Sequence, residues 1–199
     1  MVYLNKNNVR VSGQLVKEES INERIDIVRL IVGIETKGII LPVPVLIDTE
    51  QWETFKEDFP DKYYSVKVSG QLKAFRTQEG TQYIIKAGEK SISCFHNVLH
   101  SSLDESESQF FGVVTLKKKF DFETNTKLYL KRMLFETDTR HPTVFEAMAL
   151  RSSAPYFDNI NEGDRLLLRA NFVLDKNGNP PYWRIKHRPE ILENIEEAV

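Results

Sequence analysis

Cysteine is nearly absent: Cys94 is the only one in 199 residues. A single thiol cannot build an internal disulfide framework, and its rarity fits a reducing compartment, so a cytoplasmic location is expected. No run approaches the ~20 apolar residues of a membrane helix, so no membrane partner is expected. The opening "MVYLNKNNVR" lacks the apolar core of a secretory signal. Also missing are a phosphate-binding glycine loop, G-x-S-x-G, HExxH and paired CxxC. "CFHNVLH" brings Cys94, His96 and His100 close together, but zinc needs three or four ligands and no second cluster supplies the rest. Asp121 and Glu123 are dispersed and read as turn residues. With no catalytic constellation, neither an enzyme nor a bound cofactor is expected.

Strong net charge is absent too. The formal balance is −2, so bulk charge announces no nucleic-acid partner. Its distribution says more. Residues 1–100 carry 13 Lys+Arg and 13 Asp+Glu, whereas residues 108–189 carry 14 and 9. The acidic surplus lies in "SSLDESES" at 101–108 and in "PEILENIEEAV" at the end. A basic body with segregated acidic flanks suggests an anionic partner.

What is present is alternation. The acidic stretch at 101–108 reads as a linker between two halves, 1–100 and 109–188, with 189–199 an acidic helix or tail. The first half runs strand (8–18), strand (24–36), strand (39–47), helix (48–59), strand (63–75), "TQEG" turn and strand (81–87). Asp48 is placed to cap the helix and Pro60 to stop it. The second half repeats the order: 109–120, 126–137, 141–150, a short helix at most over 152–160 because of Pro155, then 164–175, a "KNGNP" turn and 181–187. Gly13 and Gly112 are 99 apart, and Gly80 and Gly178 are 98 apart, so an internal duplication accounts for the pattern.

β-β-β-α-β-β is the element order of the OB-fold, a five-stranded, partly open Greek-key barrel. The expected fold class is therefore all-β with short helices, as two tandem OB barrels. A bending first strand explains its glycine. "VSGQL" occurs at 11–15 and again at 68–72. In this fold the first and fourth strands are neighbours, so the two copies are expected side by side.

The stretch "KYYSVKVSGQLKAFRTQEGTQYIIKA" resembles the fourth strand, long turn and fifth strand of bacterial single-stranded DNA-binding proteins. Val66, Val68, Gly70, Leu72, Gly80 and Tyr83 carry the likeness, with Gly13 and Leu15 on the first strand. It covers most of 8–92 and is fainter over 109–188, where Ala170 replaces the strand-four glycine. Two departures stand out. Members of that family usually have one barrel per chain, and "IEEAV" lacks their Asp-rich tip ending in Pro-Phe. The resemblance therefore implies a divergent member, phage- or mobile-element-encoded, or a primosomal relative.

Sequence-tolerant single-strand binding needs cations along phosphates and aromatic faces for bases. In "PYWRIKHR", Tyr182, Arg184, Lys186 and Arg188 share one parity, while Trp183 and Ile185 take the core parity. Lys127, Tyr129 and Lys131 share a parity on the second strand of this half, opposite Leu128, Leu130, Arg132 and Leu134. Arg165, Arg169 and Asn171 oppose Leu166, Leu168 and Ala170. Lys117, Lys118, Lys119 and Phe120 end the half's first strand. The first half offers Lys17, Lys73, Phe75 and Arg76, while Trp52 and Phe55 read as packing residues and Tyr83, on the parity of Ile85, suits core packing or stacking. The second half is thus expected to dominate binding.

The leading expectation is a single-stranded DNA-binding protein acting in replication, recombination or repair, with replication or recombination proteins as candidate partners. A homodimer is expected because open barrels leave edge strands. The alternatives are a protein-interaction adaptor and an RNA-binding module.

Overall fold

The computed structural model describes residues 7–21, 26–36, 39–60, 65–77, 80–94, 108–123, 129–173 and 181–192. Two compact units arise, one within Asn8–Gln109 and the other built from Phe110 onward. Most of the expected linker, 101–107, lies outside the described residues, as do both expected hairpin tips (78–79 and 174–180) and the end of the tail, 193–199. Ser108, expected in the linker, instead opens a strand.

The first unit is a closed barrel. Its elements are β1 (Asn7–Ser20), β2 (Ile27–Thr36), β3 (Ile39–Asp48), α1 (Thr49–Asp58), β4 (Ser65–Thr77) and β5 (Gly80–Cys94). β1 pairs with β2, β2 with β3, β3 with β5 in parallel, β5 with β4, and β4 returns to β1. The two VSGQL copies do meet: Val11 stands opposite Val68 and Gly13 opposite Val66. The glycines answer a close approach of backbones. A Cβ on Gly13 would lie 2.1 Å from the Gly33 carbonyl oxygen, and one on Gly70 would lie 2.2 Å from that of Lys86. Strong curvature brings these chains together, so only hydrogen fits.

The core is aliphatic, with Val9, Val11, Leu30, Val32, Val45, Val66, Val68 and Leu72 almost fully buried. α1 closes one end. The Asp48 carboxylate accepts a hydrogen bond from the Glu50 N–H at 3.2 Å, satisfying an otherwise orphaned donor of the first turn. Trp52 and Phe55 are buried, with ring centroids 5.5 Å apart.

The second unit repeats this topology with β6 (Ser108–Glu123), β7 (Tyr129–Thr137), β8 (Val144–Leu150), β9 (Arg165–Val173) and β10 (Tyr182–Ile185). β6 pairs with β7, β7 with β8, β8 with β10 in parallel, β10 with β9, and β9 with β6. A 3-10 helix, Arg151–Phe157, holds the place of α1. Here the core is aromatic: Phe110, Phe135, Phe145, Phe157 and Trp183 are buried. Ala147 opposite Trp183 leaves room for the indole. Both units have the OB-fold.

Registers relate the units position by position. Each first strand slips by one residue, between Leu15 and Lys17 in β1 and between Leu116 and Lys118 in β6. Matching these bulges sets Leu15 against Leu116, so Gly13 corresponds to Val114. The expected Gly13–Gly112 correspondence is thus two residues out, because equal spacing of glycines does not mark equal strand positions. Gly70 and Ala170 do correspond, since each neighbours the residue facing the fifth strand's cation, Gln71 opposite Lys86 and Asn171 opposite Arg184.

The end of the chain needs a second correction. Glu190–Leu192, expected in an acidic helix or tail, forms β11, antiparallel to Leu167–Arg165 of β9. Its backbone groups find partners on that strand, which outweighs helix propensity over so short a segment.

Candidate nucleic-acid interface

The second unit's outer surface is set by strand parity. On β9, Leu166, Leu168 and Ala170 are fully buried, which turns Arg169 and Asn171 outward. On β10, buried Trp183 and Ile185 leave Tyr182 and Arg184 on the outer parity. Lys186 and Arg188 follow beyond the strand's end and are exposed.

The paired registers then align one row across five strands. Phe120 on β6 faces Arg132 on β7, Arg132 faces Met148 on β8, Met148 faces Arg184 on β10, and Arg184 faces Asn171 on β9. At about 4.8 Å per strand the row spans about 19 Å. It offers a ring, a thioether, an amide and two guanidinium groups.

Phe120 is the row's aromatic platform. The Lys118 ammonium lies 5.1 Å from its ring centroid and the Arg132 guanidinium carbon 5.8 Å. Arg132 is in turn fixed by a two-pronged interaction with Glu146, Nε to Oε1 and Nη2 to Oε2, each 2.5 Å. Such a fork fit leaves the guanidinium little freedom, so it steadies the ring. A second platform is Phe111, with the Arg169 guanidinium 5.0 Å above it. Among the described residues, Arg184, Lys186, Arg188 and Lys118 have no carboxylate partner. These four cations are therefore available to an external anion.

Other expected residues are placed differently. Alternation puts Lys131 on the outer face, yet it is 3% exposed and its ammonium meets Asp158 at 2.5 Å. The stretch "KLYLKRMLF" has apolar residues on both parities, and the core takes Met133 and Phe135. Lys131 therefore points inward and Arg132 outward. Lys119 is also withdrawn: its ammonium donates to the carbonyls of Ile160 (2.7 Å) and Phe157 (3.3 Å), closing the 3-10 helix. The bulge after Leu116 turns Lys119 inward while its neighbours Lys118 and Phe120 face out. Lys117 is paired with Glu136 at 3.2 Å. Tyr129 lies in β7, but its side chain is outside the described residues.

In the first unit, Lys17 is exposed but paired with Glu19 at 2.7 Å. Lys73 is half-buried, and Phe75 on the same face is 49% exposed. Arg76 lies in β4, with its side chain outside the described residues. Sequence reading missed Phe111, Arg132 and Met148. Phe111 alone carried a signal, its alternation with the buried Phe110. No group of three metal-ligating side chains occurs among the described residues. His96 and His100 lie outside them. No helix among the described residues is long and apolar enough to cross a membrane.

Comparison with known proteins bears on the fold. Neither a protein-family profile nor a curated protein matches the sequence. Two solved structures are similar over nearly the whole chain. One is a deletion mutant of the single-stranded DNA binding protein from Thermus aquaticus, with TM-score 0.67 and 17% identity, covering 98% of each chain. The other is the wild-type protein from the same organism, with TM-score 0.67 and 16% identity, covering 94% of this chain and 93% of that one.

Proposed function

We propose that this chain binds single-stranded DNA without sequence preference, chiefly through the outer face of its second barrel. The observation that carries this reading is the row from Phe120 through Arg132, Met148 and Arg184 to Asn171, flanked by cations with no carboxylate partner among the described residues. Phe120 and Phe111 stack bases; Arg184, Lys186, Arg188 and Lys118 follow the phosphates. Two similar folds are named as single-stranded DNA-binding proteins, which supports the assignment. The action is passive: the protein holds the strand open for replication, recombination or repair, as two barrels joined by an acidic linker.

Exchanging Arg184 and Lys186 together for Gln tests the reading. Removing one cation from a phosphate flattens the slope of log K against log salt by about 0.7, so the double variant should flatten it by about 1.4. Unchanged affinity and slope in the double variant would remove the proposed face.

A protein-binding role for the first barrel has one observation in its favour. A groove of about 880 Å³ lies between α1 and the Lys86–Ile92 stretch, floored by Leu46, Phe55 and Ile92. A pull-down that survives nuclease and recovers one dominant protein would support it. A homodimer is retained as the proposed assembly, and light scattering measures it.

A further inference from the structure

The first barrel contains a counterpart of the second barrel's row. Counted from the matching bulges, Glu19 faces Arg29, Arg29 faces Leu46, Leu46 faces Lys86, and Lys86 faces Gln71. Set beside Phe120, Arg132, Met148, Arg184 and Asn171, the order agrees at four of five positions. Each row has an arginine, then a long apolar side chain, then a cation, then a carboxamide. None of Arg29, Lys86 and Gln71 stands out in the sequence, because they are dispersed over 58 positions.

The fifth position differs. Where the second barrel has Phe120, the first has Glu19. Its carboxylate sits 2.7 Å from the Lys17 ammonium and 3.7 Å from Nη1 of Arg29. The two arginines are held in unlike ways. Arg132 is held by Glu146 through two contacts at hydrogen-bond distance. Arg29 has an ion-pair neighbour but no side-chain hydrogen bond among the described residues, and its buried Nε lacks an acceptor. Nε is closed to solvent, but the side chain is 38% exposed, so its Nη groups remain able to take a phosphate oxygen. Lys86 is exposed and, among the described residues, has no carboxylate partner.

Resting on the single-strand-binding reading above, we propose that Arg29, Lys86 and Gln71 form a second phosphate-binding row, and that Glu19 is a built-in competitor for it. Glu19 occupies the place of a stacking ring and presents a carboxylate to the cations a phosphate would use. The first barrel therefore binds through charge alone, and more weakly than the second. The hydrogen bond from Lys17, with Arg29 beyond it, holds the Glu19 carboxyl below the usual carboxylate range. The competitor is thus ionised throughout neutral pH.

The test titrates the full chain with a labelled thymine oligomer of ~35 nucleotides at several salt concentrations. The proteins are wild type, Glu19→Gln, Glu57→Gln, and Glu19→Gln combined with Arg29→Gln. Glu57 is an exposed carboxylate of α1 outside the row, and controls for loss of one negative charge. Glu19→Gln is expected to tighten binding about fivefold at low salt and steepen the salt slope, and Glu57→Gln to change it less than about twofold. Adding Arg29→Gln should abolish the gain. Wild-type binding that Glu19→Gln leaves unchanged, or that Glu57→Gln improves equally, overturns the competitor alone. A wild-type chain that does not bind the oligomer overturns the single-strand reading and the competitor with it.

Discussion

Lys118 and Lys119 are adjacent in sequence and face opposite ways. Lys118 is exposed beside the Phe120 ring, whereas Lys119 spends its donors on the Ile160 and Phe157 carbonyls. Lys118→Gln should therefore weaken oligomer binding about two- to fivefold and leave the melting temperature unchanged. Lys119→Gln should do the reverse, costing about 1–2 kcal/mol of stability through the loss of two charge-assisted hydrogen bonds. Paired thermal melts and binding titrations separate the two. Phe120→Ala should reduce affinity by about 1–3 kcal/mol if a base stacks there, while Phe120→Tyr keeps the ring and should retain affinity. Equal losses in both variants would deny the ring a stacking role.

The elements were legible wherever alternation was clean. Trp183 reads as core from its parity with Ile185, and it is 1% exposed. Ala170 between Leu168 and Phe172 likewise gave the face of β9. Reading failed where both parities are apolar, as in β7, and where a bulge reverses parity, as between Leu116 and Lys118. A bulge is set by barrel closure, which single-strand periodicity does not record. The same closure explains why Gly70 cannot be replaced. Gly70→Val would drive a Cβ onto the Lys86 carbonyl, a backbone atom that cannot swing aside. Loss of cooperative unfolding, or a melting temperature far below wild type, is expected. Gly88 is the matched control, because a Cβ there meets only the Ser91 Cβ at 3.8 Å. Gly88→Ala should leave the melt nearly unaltered.

At the scale of the molecule, two barrels share one topology but differ in core and surface. The first packs aliphatic strand residues beneath Trp52 and Phe55 of α1 and balances its charge; the second packs Phe and Trp from its strands and carries the basic surplus. Cross-strand rows could not be seen in the sequence, since their members come from five strands and are aligned only by register. Both tryptophans are buried, Trp52 at 0% and Trp183 at 1% exposure. Binding is therefore expected to leave intrinsic tryptophan emission nearly unchanged, and strong quenching at saturation would place a base on an indole instead.

The central claim is that an aromatic platform, together with Lys118, Arg184, Lys186 and Arg188, which have no carboxylate partner among the described residues, holds a single strand. The most direct measurement is the affinity for a labelled thymine oligomer as a function of salt. About three to five phosphate contacts predict a log–log slope of about −2 to −4 for a single strand, with clear binding at about 10 µM protein in low salt. A slope near zero, or no retained oligomer under those conditions, would contradict the account.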